Sequence, residues 1–294
     1  MNRLRGVTNS ILTRGQLDLS AMRIAPEASE SWISDLKSKG HCIIRGLTDP
    51  KRIIQLGAQI KLPAKVLGRA GTEKSKQLTQ ALFESNQGAA LVRDLYLDNR
   101  IAWILSAFHN QSVIDHTKVL VKAANAPETP WHQDHAFFKL FDPFGTMITL
   151  WAPFASVSAA NGGLRLVKAM PPNELLPHDP AVDGELAVAP SVLQPMLEHG
   201  IEEITAEPGD VVLFTSRAVH GTFPNATNHA RFAFKLVFQD LSRRAPSQPL
   251  RTRAVRFHGV EGFMNRVVPC LGTRLRLQPE LWRDNLRAKT RRAK

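Results

Sequence analysis

The chain has 294 residues, of which 43% are hydrophobic and 22% are charged, a composition typical of one large or two small globular domains. No apolar run is long enough to span a bilayer, and no secretory signal follows the first arginines. Cys42 and Cys270 are too few and too far apart for a disulfide framework or a zinc knuckle. We therefore expect a cytoplasmic protein; an organelle transit segment is the alternative for residues 1–17, which carry three arginines and no acid.

The net charge of +12 belongs to the C-terminal part of the chain. Residues 241–294 hold 14 Lys and Arg against three acids, whereas residues 1–240 hold 24 against 23. A nearly neutral body disfavours nucleic acid as a partner. A basic end of this kind is usually a solvated tail, and docking on a polyanion is the alternative.

Helices are predicted in the first part of the chain, after a lead-in over 1–25 that has no clear pattern. Apolar residues at helical spacing predict three helices, over 26–39, 50–60 and 91–108. Residues 41–47 read as a short strand, and the polar stretch 61–89 predicts no element.

Strand-like runs follow one another from about residue 112, over 117–123, 130–137, 145–152, 163–168, 210–215 and 230–239. Because no long helices separate them, they indicate an antiparallel sandwich or barrel. We predict a mainly β (α+β) domain over 26–240, with a β core at about 112–240 behind an N-terminal helical layer, and a basic C-terminal extension over 241–294. Residues 170–200 contain six prolines and are either a lid or a surface insertion.

One His-x-Asp sequence, His132 and Asp134, occurs in the chain. On an extended strand, residues i and i+2 point to the same face, so the imidazole and the carboxylate would converge. With one later histidine they would form the two-histidine, one-carboxylate site that binds Fe(II) and leaves positions open. The pair alone is a weak signal, and a surface or core position is the alternative.

The run 230–239 has two contrasting faces. One face carries Phe232, Phe234, Leu236 and Phe238, and the other carries Arg231, Ala233 and Lys235. This alternation predicts an apolar outer layer on one side and a polar cavity on the other. An arginine in such a cavity suits a carboxylate, because its planar fork makes two parallel charge-assisted bonds.

Four segments in order resemble the phytanoyl-CoA dioxygenase family: 131–134, 161–164, 209–214, and His220 followed eleven residues later by Arg231. The resemblance covers roughly 26–240. It implies a double-stranded β-helix (jelly-roll, cupin-like) core and an oxygenase that uses Fe(II), 2-oxoglutarate and O2. It implies the iron ligands His132, Asp134 and His220, and the 2-oxoglutarate contacts Arg231, Thr222, Trp151 and Lys122.

Two positions bear on this resemblance. The family often continues its Asn-Gly-x-Leu stretch with a Pro-Gly-Ser-His turn, whereas this chain has Lys168-Ala169-Met170-Pro171-Pro172, which leaves the shape of that loop open. The carboxylate of Asp134 is retained where the halogenating relatives have a small residue, so halide binding is disfavoured.

The implied reaction is hydroxylation of an unactivated C–H bond of a small molecule, with release of succinate and CO2. Desaturation, cyclisation or epimerisation is the alternative within the family, and a non-catalytic basic β-fold protein that binds polyanions through 241–294 is the alternative from another class. The arginine excess suggests an anionic substrate. Candidate substrate contacts, each with a core, cavity-wall or surface role as its alternative, are His135, Phe137, Arg217 and Arg165. The sequence predicts no oligomeric state.

Overall fold

The structure is a computed structural model that describes residues 26–63, 70–96, 98–138, 142–169, 172–181, 185–243 and 268–269. The lead-in 1–25 and all but five residues of the basic extension 241–294 lie outside the described residues. Within the described part of the chain, no helix has the length and the apolar character needed to cross a membrane.

Helices precede the β core. They are α1 (Pro26–Ser38), α2 (Pro50–Gln59), α3 (Ala70–Glu84), α4 (Asn86–Tyr96) and α5 (Asn99–Ser106). The helices predicted over 26–39 and 50–60 are confirmed. The single helix predicted over 91–108 is wrong, because the Asp98 carboxylate accepts the Arg100 N–H at 2.9 Å and caps a separate helix there.

The stretch 61–89, whose sequence predicts no element, contains α3 and the start of α4. Leu78 and Leu82 of α3 are buried in the main hydrophobic core. The position of α3 depends on tertiary contacts, since the Val119 N–H donates to the Thr79 hydroxyl at 2.8 Å. A helix stabilised in this way leaves a weak periodic signal in the sequence.

The strands and two further helices follow. They are β1 (His41–Ile44), β2 (Gln111–Lys122), β3 (Thr129–His132), α6 (Asp134–Phe138), β4 (Ile148–Pro153), β5 (Leu164–Val167), β6 (His178–Pro180), β7 (Leu186–Val188), α7 (Pro190–Leu197), β8 (Ile201–Glu203), β9 (Val211–Thr215), β10 (His220–Thr222), β11 (Arg231–Asp240) and β12 (Val268–Pro269). A short 3-10 turn, Leu241–Arg243, follows β11. Each strand-like run of the sequence contains a strand.

Two antiparallel sheets form the core. The larger sheet has the order β1-β9-β4-β11-β2-β12, and the smaller has the order β3-β10-β5-β8; β6 and β7 pair separately. Neighbours in both sheets are far apart in the chain, as in a jelly roll, and this confirms the predicted antiparallel β core.

The helices cover the outer face of the larger sheet. Phe232, Phe234 and Leu236 of β11 join helical residues such as Ile53 and Leu95 in one buried cluster. Ala233, on the other face of β11, belongs to a second cluster between the two sheets. The predicted division of this strand into an apolar outer face and an inward face is therefore confirmed.

The proline-rich segment 170–200 is largely regular structure in its described part. It forms the β6–β7 hairpin and α7, and the side chains of Leu193 and Leu197 pack on a buried cluster that includes Trp131 and Val219. The segment thus covers the outer side of β3 and β10, and it brings Glu185, in the hairpin, to the cavity described below.

The strand predicted over 130–137 is only half correct. β3 ends at His132 and Asp134 begins α6, so strand alternation does not apply beyond His132. The His135 N–H donates to the Ser216 carbonyl at 2.9 Å, which ties the chain to the turn after β9 and directs it into the helix.

Candidate metal centre

His132, Asp134 and His220 meet although they lie on three different elements. His132 ends β3, His220 begins β10, and the two are directly paired across these antiparallel strands. The Asp134 Oδ1 atom lies 3.8 Å from His132 Nε2 and 3.9 Å from His220 Nε2. The three potential ligand atoms are all within 4.8 Å of one another, and all three residues are buried. This spacing fits one metal ion shared by three ligands.

Backbone carbonyls fix the orientation of both imidazoles. His132 Nδ1 lies 2.8 Å from the Pro130 carbonyl oxygen, and His220 Nδ1 lies 3.0 Å from that of Ala218. A carbonyl only accepts, so each Nδ1 carries the proton and each Nε2 presents a lone pair to the centre. The Thr149 hydroxyl donates to Asp134 Oδ2 at 3.0 Å, which leaves Oδ1 facing the histidines.

The local electrostatics keep His220 and Asp134 in their metal-binding forms near neutral pH. Burial, followed by the neighbouring His132, lowers the pKa of His220 to about 4. For Asp134 burial acts to raise the pKa, but the Lys235 charge and the two histidines outweigh it and hold the pKa well below its usual value. A neutral imidazole and an ionised carboxylate are the forms that bind a metal.

A cavity of about 730 Å³ opens onto this triad between the two sheets. Its wall includes the inward faces of β2 and β11 from the larger sheet and of β3 and β10 from the smaller sheet. Its described lining has four basic side chains, Lys118, Lys122, Arg231 and Lys235, and two carboxylates, Asp134 and Glu185.

Arg231 is a buried cation with no acidic partner in the described part of the chain. It is 6% exposed, its Nε atom has no hydrogen-bond partner, and one Nη atom donates to the Gly162 carbonyl. Its guanidinium lies 5.6 Å from the centre of the Trp151 ring. Burial lowers the pKa of Arg231 to about 10, a value at which it stays charged at neutral pH. A buried cation of this kind can pair with an anion that enters the cavity.

Lys122 lies opposite Arg231 on β2 and faces the same cavity. Its ammonium donates to the Thr222 hydroxyl at 2.8 Å and to the Pro127 carbonyl. Burial, and then the charge of Arg231, lower the pKa of Lys122 to about 8. The predicted contacts Arg231, Lys122, Thr222 and Trp151 therefore line one end of the cavity together.

The four candidate substrate residues lie elsewhere: none of them is among the residues that line the cavity. Arg165 stacks at 4.4 Å on the Trp131 ring and pairs with Glu128 at 2.6 Å. His135 Nε2 donates to the Asp142 carbonyl at 3.0 Å, and Arg217 donates to the Phe144 carbonyl. Phe137, which is 37% exposed, makes an edge contact with His132. Their role in substrate binding stays a prediction.

The sequence interpretation does not assign Gly162, Thr149 or Lys118 to the site, and it places Lys235 only on the polar face of the run 230–239. Gly162 has φ +82°, and a Cβ atom there would lie 2.8 Å from Lys122 Cγ, so a glycine is needed beside the basic pair. Gly162 could have been found from the Asn161-Gly162-Gly163 motif, which is part of the family-like segment 161–164. Lys235 was detectable by its spacing of four from Arg231 on the inward face of β11.

Comparison with known proteins identifies the family. The model of the family "Phytanoyl-CoA dioxygenase (PhyH)" matches residues 36–233. The chain belongs to the phytanoyl-CoA dioxygenase family. The residues matched include the whole triad and Arg231 of this family member. A probable phytanoyl-CoA dioxygenase of Caenorhabditis elegans is 31% identical over 114 residues, which is 35% of this chain and only 34% of that protein.

Solved structures share the fold of this phytanoyl-CoA dioxygenase family member. EctD from S. alaskensis, in a structure with 2-oxoglutarate and 5-hydroxyectoine, aligns with a TM-score of 0.56 at 18% identity over 87% of both chains. The carbocyclase SnoK from nogalamycin biosynthesis gives 0.53 at 16% identity over 75% of this chain and 85% of that one. EvdO2 from Micromonospora carbonacea var. aurantiaca gives 0.51 at 18% over 74% and 94%. The predicted jelly-roll core is thereby confirmed.

Proposed function

We propose that this protein is an Fe(II)- and 2-oxoglutarate-dependent dioxygenase that hydroxylates an unactivated C–H bond of a small molecule, with release of succinate and CO2. The observation that carries the proposal is the combination, in one cavity, of a buried His-Asp-His triad and a buried arginine without a carboxylate partner among the described residues. The triad supplies a metal site, and the arginine supplies a seat for a carboxylate.

His132, Asp134 and His220 would hold the iron. Two neutral imidazoles and one carboxylate are the ligand set of non-haem Fe(II) oxygenases, which leave further positions for cosubstrate and oxygen. The hydrogen bonds from the two Nδ1 atoms and from Thr149 fix these ligands before the metal arrives. Fixed ligands of this kind typically raise metal affinity by a factor of about 10–100.

Arg231 would bind the far carboxylate of 2-oxoglutarate. The Nε atom is buried and unpaired, so two parallel bonds to a carboxylate would satisfy the guanidinium. Lys122, whose ammonium donates to the Thr222 hydroxyl, lies beside it and would add a second cation. Trp151 forms part of the same wall and keeps bulk water away from the bound dicarboxylate.

Iron and 2-oxoglutarate, when bound, supply the oxidising chemistry: O2 and the oxoacid are consumed, succinate and CO2 leave, and one oxygen atom is inserted into a C–H bond. The chain contributes positioning. The triad holds the metal at one point, Arg231 and Lys122 anchor the cosubstrate, and the walls of the cavity exclude water from the reacting carbon.

The neighbouring structures support this class of reaction. EctD and EvdO2 have structures with 2-oxoglutarate, and EctD also has one with bound Fe. The EctD structure with 5-hydroxyectoine, a hydroxylated molecule, favours hydroxylation, whereas the carbocyclase SnoK, on the same fold, makes ring closure the second candidate outcome. Mass analysis of the product distinguishes them, because hydroxylation adds one oxygen atom and ring closure removes two hydrogen atoms.

Spectroscopy under anaerobic conditions tests the cofactor assignment. Adding Fe(II) and 2-oxoglutarate to the protein should produce a weak visible metal-to-ligand charge-transfer band. His132→Ala should abolish the band, and His199→Ala, which changes an exposed histidine away from the cavity, should leave it unchanged. A wild-type protein without the band, or a band that persists in the His132 variant, would refute the proposal.

A further inference from the structure

The cavity contains two pairs of basic residues, not one. β2 and β11 are antiparallel neighbours in which Lys122 faces Arg231 and Lys118 faces Lys235. Residues directly opposite on such strands have side chains on the same face, and all four line the cavity. The pairs are four residues apart on each strand, which is about 13 Å along the sheet.

The two pairs differ in their contacts. Lys122 and Arg231 are held by the Thr222 hydroxyl and by backbone carbonyls. Lys118 makes no hydrogen bond or ion pair with any residue that the structure describes, and its side chain is accessible from the cavity. Lys235 has Nζ 3.9 Å from Asp134 Oδ2 and 5.6 Å from the centre of the Phe138 ring, and it is 14% exposed. The second pair is therefore a cationic site beside the triad without a ligand of its own.

We propose that Lys118 and Lys235 form a second anion-binding subsite, which takes a carboxylate or another oxyanion of the substrate and holds it beside the metal ligands. This inference rests on the proposed function, because it assumes that Arg231 and Lys122 are occupied by 2-oxoglutarate. It names the substrate class of the same cavity.

Charge balance supports this assignment. Fe(II) and a 2-oxoglutarate dianion cancel each other, and Asp134 cancels one of the four basic side chains. Glu185 cancels a second, so the loaded cavity retains two positive charges among its described lining residues. Excess charge of one sign in a cavity is unfavourable, and an anionic substrate would reduce it. Lys235 is not neutralised by Asp134 once that carboxylate faces a metal.

The position of the subsite also restricts the reaction. An anion in contact with Lys235 would lie next to Asp134, which is one of the three metal ligands. The carbon that is oxidised would then be only a few bonds from the anionic group. The substrate class is a small anion oxidised near its charged end, and a long chain oxidised far from its charge does not fit.

The test is calorimetric titration of the anaerobic Fe(II)–2-oxoglutarate complex at constant ionic strength, with hexanoate as the carboxylate probe and sulfate as the tetrahedral oxyanion probe. The charge-transfer band is recorded in parallel. At least one probe should bind while the band persists. Lys118→Gln should weaken that binding about tenfold or more, the loss expected for one charge-assisted hydrogen bond.

Matched variants make the result specific. Lys168→Gln removes the same charge outside the cavity and should leave affinity unchanged, and Lys118→Arg should retain most of it. Lys235→Gln should resemble Lys118→Gln in affinity. Glu185→Gln should strengthen binding of the probe, because a competing carboxylate is removed. Weaker binding would instead indicate that Lys118 pairs with Glu185 of the β6–β7 hairpin, and would overturn the subsite.

Failure of this inference is separable from failure of the proposed function. A missing band in the wild-type protein counts against the cofactor assignment. A normal band with no binding of either probe, binding that Lys118→Gln does not change, or binding that removes the band by displacing 2-oxoglutarate each counts against the second subsite alone.

Discussion

Replacing Arg231 by methionine should weaken 2-oxoglutarate binding strongly without destabilising the metal-free protein. Arg231 is 6% exposed, and no described carboxylate pairs with it. In the unliganded protein it is therefore a buried charge whose only described hydrogen bond is to the Gly162 carbonyl. Most buried arginines stabilise their protein through a partner, and this one lacks an acidic partner until a ligand arrives.

The substitution should change the stability and the 2-oxoglutarate affinity in opposite directions. Burial lowers the pKa of Arg231 from its ordinary value to about 10. At about 1.4 kcal/mol per pKa unit, keeping the group charged costs on the order of 3 kcal/mol. Removing the charge would relieve this cost, but losing the hydrogen bond to the Gly162 carbonyl lowers the stability by about 1 kcal/mol. The free energy of unfolding of Arg231→Met should thus be unchanged or higher by up to about 2 kcal/mol. Losing two charge-assisted bonds to 2-oxoglutarate removes about 3–6 kcal/mol of binding, a factor of at least about 100 in Kd.

Two measurements check this expectation. Urea unfolding of the metal-free protein gives the stability, and anaerobic titration with 2-oxoglutarate in the presence of Fe(II) gives the affinity. Arg165→Met is the matched control, because Arg165 is equally buried but pairs with Glu128 and stacks on Trp131. The control should lose stability and keep its affinity. Loss of stability in Arg231→Met together with unchanged 2-oxoglutarate affinity would refute the assigned role.

Two further substitutions give expected outcomes. Gly162→Ala should weaken 2-oxoglutarate binding, since its Cβ would lie 2.8 Å from Lys122 Cγ. The control Gly46→Ala is also at positive φ but has no atom within 4 Å of its Cβ, so it should show only the backbone strain. Titration with 2-oxoglutarate and urea unfolding of both variants check this. For His109, burial lowers the pKa below 6.5, so the unfolded chain binds more protons and wild-type stability falls as pH drops below about 6.5. His109→Gln should flatten that decline, by at most about 1.4 kcal/mol per pH unit in urea unfolding at pH 5.5 and 7.5, and an unchanged slope would contradict it.

The parts of the site that the sequence predicts are those fixed by short spacing. His132 and Asp134 are two residues apart, and they converge even though the strand ends between them. The inward face of β11 follows from alternation alone, which places Arg231 in the cavity opposite the buried phenylalanines. These features need no knowledge of which strands are neighbours.

Features that depend on strand register were not predictable in the same way. Lys118 and Lys235 are more than a hundred residues apart, and only the pairing of β2 with β11 shows that they face each other. The orientation of Arg165 depends on which face of β5 meets the core, and the structure directs it to Trp131 instead of the cavity. The break between α4 and α5 depends on one capping residue, Asp98, within a continuous apolar pattern.

The buried basic residues link the stability of this protein to its ligands. Burial lowers the pKa of both Lys122 and Arg231, and the charge of Arg231 lowers that of Lys122 further, so the unliganded cavity is a locally unfavourable arrangement. A dicarboxylate relieves the repulsion between the first pair, and a ligand at 100 times its Kd adds about 2.7 kcal/mol of stability. The second pair lies about 13 Å along the same strands from the first pair, where the far carboxylate of 2-oxoglutarate would bind. The register of β2 against β11 therefore creates two separate pairs of basic residues, and the proposed second subsite would place an anionic group of the substrate at the second pair.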